Sequence, residues 1–250
     1  MESKNRYTSL DTIRGFTLIS MILYHGIWDL VYIFGVNMPW YESKAAYIWQ
    51  QSICWTFILL SGFCWSLGQK KLKRGLMVLG GSVLISLATI WFMPDSIILF
   101  GVLSLIGTSM LAMIPLDKVL KKVNPYFAGA ICFAVFILTK HTSGGSLRIG
   151  AYEILELPKG LYANLLTAYL GFPAPEFASS DYFPIIPWIF LYMTGYFLYQ
   201  IFDKLDWKKY LSGIHWKPLA WIGRHSLLIY MLHQPVVYGV LCVVFLFITL

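Results

Sequence analysis

The chain has 250 residues, of which 58% are hydrophobic and 12% charged. Soluble domains carry roughly 25% charged residues, so this chain has about half of what a water-facing surface needs. Aromatics at 17% suit two interfacial belts of Trp and Tyr, and together these figures mark a polytopic membrane protein. The formal charge of +7 does not signal nucleic acid, because the cations sit in short clusters between apolar segments and form no basic stripe.

Met1 to Thr8 is polar, and no small-residue cleavage site follows the first apolar run, so no cleaved signal is expected. Apolar segments long enough to cross a core of ~30 Å, which takes about 20 helical residues, lie at 12–35, 47–69, 75–93, 96–114, 125–139, 184–202 and 225–248. Unpaired backbone is not tolerated in lipid and no alternating strand pattern is present, so these are helices. The expected fold is an all-α polytopic membrane protein. It is a single bundle of about seven transmembrane helices forming one domain, 1–250.

The first segment, "SLDTIRGFTLISMILYHGIWDL", carries Asp11, Arg14, His25 and Asp29. Ionisable groups in hydrocarbon cost ~2.5–3.5 kcal/mol each even on the lenient insertion scale. At 100° per residue, Arg14 and His25 differ by about 20°, and Asp11 and Asp29 fall within about 40° of His25. One face therefore holds all four and must point into protein or a wet cavity. Plain structural readings exist. "TSLD" fits a capping box that makes Asp11 a helix cap, and Arg14 can snorkel to headgroups. His25 and Asp29, an i, i+4 pair, can be a satisfied hydrogen bond. A carboxylate beside imidazole also fixes its tautomer and supports the imidazolium, as a general base requires.

Ser61 and Gly62 in the second segment leave room for another helix or a ligand to approach, with packing the favoured reading. Gly101, Ser104 and Thr108 read as a close-packing face of the fourth. The connection 140–183 is long for a compact protein and rich in Tyr, Leu and Phe, which predicts an extracytoplasmic lid. It leaves room for an eighth, broken or re-entrant element at Gly160–Phe172. Asp181 suits either the N-cap of the sixth segment or a substrate contact.

In the last segment, "IGRHSLLIYMLHQPVVYG", Ser226 and His233 lie about 20° apart and Tyr230 about 60° from His233. Pro235 is expected to free a carbonyl and kink the helix. Arg224 and His225 fall level with Arg14 and near "KKLKR", which suggests an inner anion site. Cys54, Cys64, Cys132 and Cys242 all sit in apolar runs and read as packing residues. His141 and His215 lie in loops. No metal is expected, and no nucleotide loop or hydrolase motif is present.

With the N-terminus in the cytoplasm, fifteen of the 19 Lys and Arg residues, Lys4 and Arg6 among them, fall inside and four outside. That is a strong positive-inside signal and agrees with an odd number of spans.

"LDTIRGFTLISMILYH", "FILLSGF", "DYFPIIPWIF" and "IGRHSLLIYMLHQPV" together resemble the bacterial membrane proteins grouped with the heparan-alpha-glucosaminide N-acetyltransferase catalytic domain. The resemblance runs from Leu10 to about Tyr238. It implies a multi-pass inner-membrane acyltransferase that moves an acetyl group from cytoplasmic acetyl-CoA to an extracytoplasmic acceptor, an amino sugar or glycan. By motif, Asp11, Arg14 and Gly15 match the start of the first helix, and His233 the late histidine. Arg14, Arg224, Asp11 and Ser226 are then candidates for holding the donor; for catalysis His25 is the expected proton-handling residue, oriented by Asp29, with His233 the alternative. An imidazole would either deprotonate the acceptor or carry the acetyl group itself. Expected partners are acetyl-CoA, the acceptor, the lipid bilayer and a second copy in a homodimer. The competing class is a proton-coupled transporter or flippase, since intramembrane His and Asp also serve proton relays.

Overall fold

The computed structural model describes residues 7–213 and 216–248; Lys4, Arg6 and His215 lie outside them. The chain divides into two compact units, Met1–Phe57 with Asp206–Leu250, and Ile58–Leu205.

The first unit opens with α1, Thr8–Trp28, continued by a widened π turn, Asp29–Ile33. α2, Lys44–Trp65, starts in this unit and ends in the second. After Asp206 come a short amphipathic α8, Lys217–Arg224, and α9, Ser226–Ile248. The "IGRHS" stretch is thus split at His225, and Pro218 in the first turn of α8 gives that helix its own start. α9 runs on through Pro235 as one helix. Leu18, Met21 and Ile53 form the buried apolar centre, with Trp49, Phe57, Ile222 and Tyr230 packed against it.

α1 and α8 touch backbone to backbone. A Cβ on Gly15 would lie 1.9 Å from the Leu219 carbonyl oxygen, and one on Gly223 would lie 1.9 Å from that of Asp11. Only glycine fits either position.

The second unit holds α3, Lys71–Phe92, α4, Val102–Leu120, α5, Pro125–Thr139, α6, Leu165–Leu170, and α7, Ile185–Lys204. Asn124 and Pro125 begin α5, with the Asn124 side chain accepting from the Tyr126 N–H. The last part of α2 meets α7 through Gly62 and Gly195, whose Cβ atoms would fall 1.9 and 2.1 Å from the carbonyl oxygens of Tyr192 and Leu59. The packing reading of Ser61–Gly62 holds. Trp65 Nε1 donates to the Met110 carbonyl and Tyr196 to Asp117.

Among the described residues, six helices are long and apolar enough to cross a membrane: Thr8–Ile33, Lys71–Phe92, Val102–Leu120, Pro125–Gly144, Ile185–Lys204 and Ser226–Phe247. α2 covers most of the expected second span, but Gln50, Gln51 and Ser52 leave it short of that apolarity. The fourth span begins at Val102 rather than 96. The apolar run before it is extended and is laced to residues 179–183, with Ser180 N–H to Ile97 O and Phe183 N–H to Phe100 O.

Asp181 accepts from the Val102 N–H at 3.3 Å, so it caps α4, while α7 takes Pro184 as its N-cap. The expected cap role thus belongs to a different helix. Within 140–183 the chain forms a hairpin of β1, Ser146–Ile149, and β2, Tyr152–Glu156, followed by the six-residue α6. α6 is too short to span; it is started by an Asn164–Thr167 capping box.

Candidate active site

α1 places two polar groups early and two late. Near its start, Arg14 Nη1 donates to Asp11 Oδ1 at 3.1 Å, with Asp11 buried and Arg14 half-buried. Tyr7, not a Ser or Thr, is the N-cap of α1, and no side-chain cap bond forms there. The capping-box reading of "TSLD" therefore fails: the Asp11 carboxylate serves the guanidinium, the stronger charge-assisted partner.

Arg14 adjoins Gly15, and Arg224 adjoins Gly223. The Cβ position of Gly223 lies 3.1 Å from the Gly15 nitrogen. The two glycines thus bring the two arginine-bearing backbones close together. The Arg224 side chain is exposed, with Nε donating to the Ala220 carbonyl at 3.2 Å. Ser226 opens α9 at the same end.

About 16 Å further along α1 from Arg14, His25 faces α9. Its ring centroid is 5.0 Å from that of His233. His233 is buried, and its Nδ1 sits 2.5 Å from the Tyr230 carbonyl oxygen. A carbonyl can only accept, so Nδ1 carries the proton and Nε2 the lone pair. That Nε2 is buried with no hydrogen-bond partner in the protein.

One turn beyond His25, Asp29 is completely buried at the start of the π turn. Its Oδ1 accepts from Gln234 Nε2 at 2.5 Å. Among the described residues no hydrogen bond joins Asp29 to His25, so the i, i+4 pair is not the contact that forms. Asp29 turns to α9 instead. π turns inside α-helices occur frequently at functional sites.

The two late rungs between α1 and α9 are therefore His25 with His233, and Asp29 with Gln234. Gln234 was not among the sequence candidates, although a polar side chain in an apolar run is the same signal that marks its neighbour His233. Asp29 Oδ2 and Gln234 Oε1 join His233 Nε2 as buried atoms without partners. All three are hydrogen-bond acceptors, a set matched to incoming N–H or O–H groups. No group of three or more His, Cys, Asp or Glu side chains able to hold a metal occurs among the described residues.

Neither a curated protein nor a solved structure matches the chain. A family model does, described as heparan-alpha-glucosaminide N-acetyltransferase, catalytic. It takes in both glycine–arginine pairs and both late rungs. Matched over residues 6–235, this multi-pass membrane protein belongs to the heparan-alpha-glucosaminide N-acetyltransferase catalytic family.

Proposed function

We propose that the protein transfers an acetyl group from acetyl-CoA, held at the Arg14–Arg224 end of α1, to an amine or hydroxyl of a sugar or glycan at the His25–His233 end. The observation that carries this reading is the state of His233. With Nδ1–H committed to the Tyr230 carbonyl, its buried Nε2 has a lone pair and no partner. That is the form a general base needs.

In the transfer, Nε2 takes the acceptor proton as the acceptor lone pair forms a bond to the thioester carbon. The C–S bond breaks, and the departing thiolate takes the proton from the imidazolium. An imidazole that first accepts the acetyl group would use the same Nε2. His25, beside this ring, is the second proton-handling candidate, and Asp29 with Gln234 supplies acceptor atoms for the incoming substrate. Arg14 and Arg224 suit the phosphates of CoA, with Asp11 orienting Arg14 and Ser226 nearby.

The fifteen-to-four division of Lys and Arg supports a cytoplasmic N-terminus in the plasma (inner) membrane, hence a cytoplasmic donor and an outside acceptor. The test is incubation of purified protein with radiolabelled acetyl-CoA and a panel of amino sugars, neutral sugars and simple amines, following both hydrolysis and transfer. Label appearing on an acceptor supports the reading. Failure to bind CoA at all would overturn it in favour of a proton-coupled carrier.

A further inference from the structure

The hairpin in the 140–183 connection has two unlike faces. Its register pairs Ile149 with Tyr152 and Arg148 with Glu153. Beyond a bulge at Ile154 the register pairs Leu147 with Leu155 and Ser146 with Glu156, so Leu147, Ile149, Tyr152 and Leu155 share one side and Arg148, Glu153 and Glu156 the other. Arg148 Nη2 and Glu153 Oε2 form an ion pair at 2.5 Å on that second side. The first side is apolar and largely uncovered: Ile149 is 52% exposed, Tyr152 82% and Leu155 54%. Large apolar side chains gathered on one face of a surface element mark an interaction surface.

Chain reach says what covers it. α5 belongs to the membrane-crossing stretch Pro125–Gly144, and β1 starts at Ser146. Two residues of chain span at most about 7 Å. The polar headgroup layer extends about 5–7 Å beyond the hydrocarbon core on each side. The root of the hairpin is therefore inside or at the edge of that layer.

From there a strand of this length reaches roughly 15 Å. Standing upright, the hairpin would hold Ile149, Tyr152 and Leu155 in water. Lying flat, it sets them into the boundary between headgroups and acyl chains and leaves the Arg148–Glu153 pair toward water. Tyr is a residue that favours this boundary.

We propose that β1 and β2 form an amphipathic ribbon seated on the lipid surface where α5 emerges, with Ile149, Tyr152 and Leu155 in the lipid. The partner is the apolar part of the bilayer itself: the ribbon's charges, Arg148 against Glu153 and Glu156, leave no net positive charge to seek anionic lipid. The inference is independent of the acetyl-transfer reading and stands or falls without it.

The test places a photoreactive azidophenylalanine at Tyr152, and in a second protein at Glu153, each reconstituted singly into phosphatidylcholine nanodiscs. Both sites lie on the surface, so neither replacement disturbs a packed core. After illumination, mass spectrometry of the hairpin peptide should show lipid adducts at 152 at least about tenfold above those at 153. Adding phosphatidylglycerol should change the yield at 152 by less than about twofold. Equal adducts at both positions, a cross-link from 152 to a second chain, or reaction with water alone would each overturn the proposal.

Discussion

In the unit formed by Met1–Phe57 and Asp206–Leu250, the glycines that let two helices touch, Gly15 and Gly223, each stand next to an arginine. In the unit Ile58–Leu205, Gly62 and Gly195 make an equally close contact, but their neighbours are Ser61 and Thr194. The second contact serves packing. The first packs and also fixes where two cations lie. Both units hold buried polar atoms without partners, Ser109, Thr142 and Tyr192 in the second and His233, Asp29 and Gln234 in the first; in the first they gather on the facing helices α1 and α9. Similar steric devices thus serve packing in one unit and, in the other, also position the proposed site.

The largest expected effect breaks both contacts. Gly15→Val, Gly223→Val or Gly62→Val drives a side chain into a backbone carbonyl with no room to yield, at a cost of about 3 kcal/mol or more. Yield and thermal stability should collapse in all three. The milder Gly62→Ala sharpens the comparison. Whatever folds should keep its CoA affinity, whereas folded Gly15→Ala should lose both stability and affinity.

Next is His233→Ala, expected to lower transfer by roughly 10²–10⁴-fold in a single-turnover assay. His25→Ala should give the smaller loss, because the unpaired base nitrogen belongs to His233. A larger loss at His25 would exchange their roles.

Arg14→Ala and Arg224→Ala should each weaken CoA binding by about tenfold or more in calorimetry, since charge-assisted phosphate contacts are worth roughly 1.5–3 kcal/mol. Unchanged affinity in both would confine these arginines to orienting the protein in the membrane.

The smallest effect belongs to the second unit. Burial pushes the Asp181 carboxyl up to about 6, although the Val102 N–H pulls the other way. The folded chain then holds this proton more tightly than the unfolded one, whose ordinary value is 3.8. The burial cost of the carboxylate is fully present above about 6 and fades as pH falls toward 3.8. Stability should therefore decline modestly as pH rises through that window, and Asp181→Asn should flatten the decline in thermal melts.

The membrane-spanning helices were legible because an apolar run of about 20 residues has few other uses. The fifth segment coincides with α5 at both ends, helped by the Asn124–Pro125 start signal. The fourth was placed too early because "IILF" is as apolar as a helix; only Asp181, distant in sequence, shows where α4 begins. β1 and β2 escaped notice because strands of four and five residues give too short a period to read.

At the site, the polar face of α1 was visible from spacing alone. The pairing of its members was not. A helical wheel shows that His25 and Asp29 share a face, but whether they meet each other or α9 depends on tertiary contact and on the π turn at Asp29. Gly15 and Gly223 stood in the quoted motifs, yet their purpose needed the backbone of the facing helix.

The central claim is that α1 separates donor binding from proton handling, and one experiment addresses it directly: single-turnover transfer from labelled acetyl-CoA, titrated in wild type, His233→Ala and Arg224→Ala. The account predicts that His233→Ala loses rate with its CoA Kd intact. It predicts that Arg224→Ala raises Kd by about tenfold while its rate at saturation stays within about threefold of wild type. Full-rate transfer by His233→Ala, or rate and affinity falling together in both variants, would contradict it.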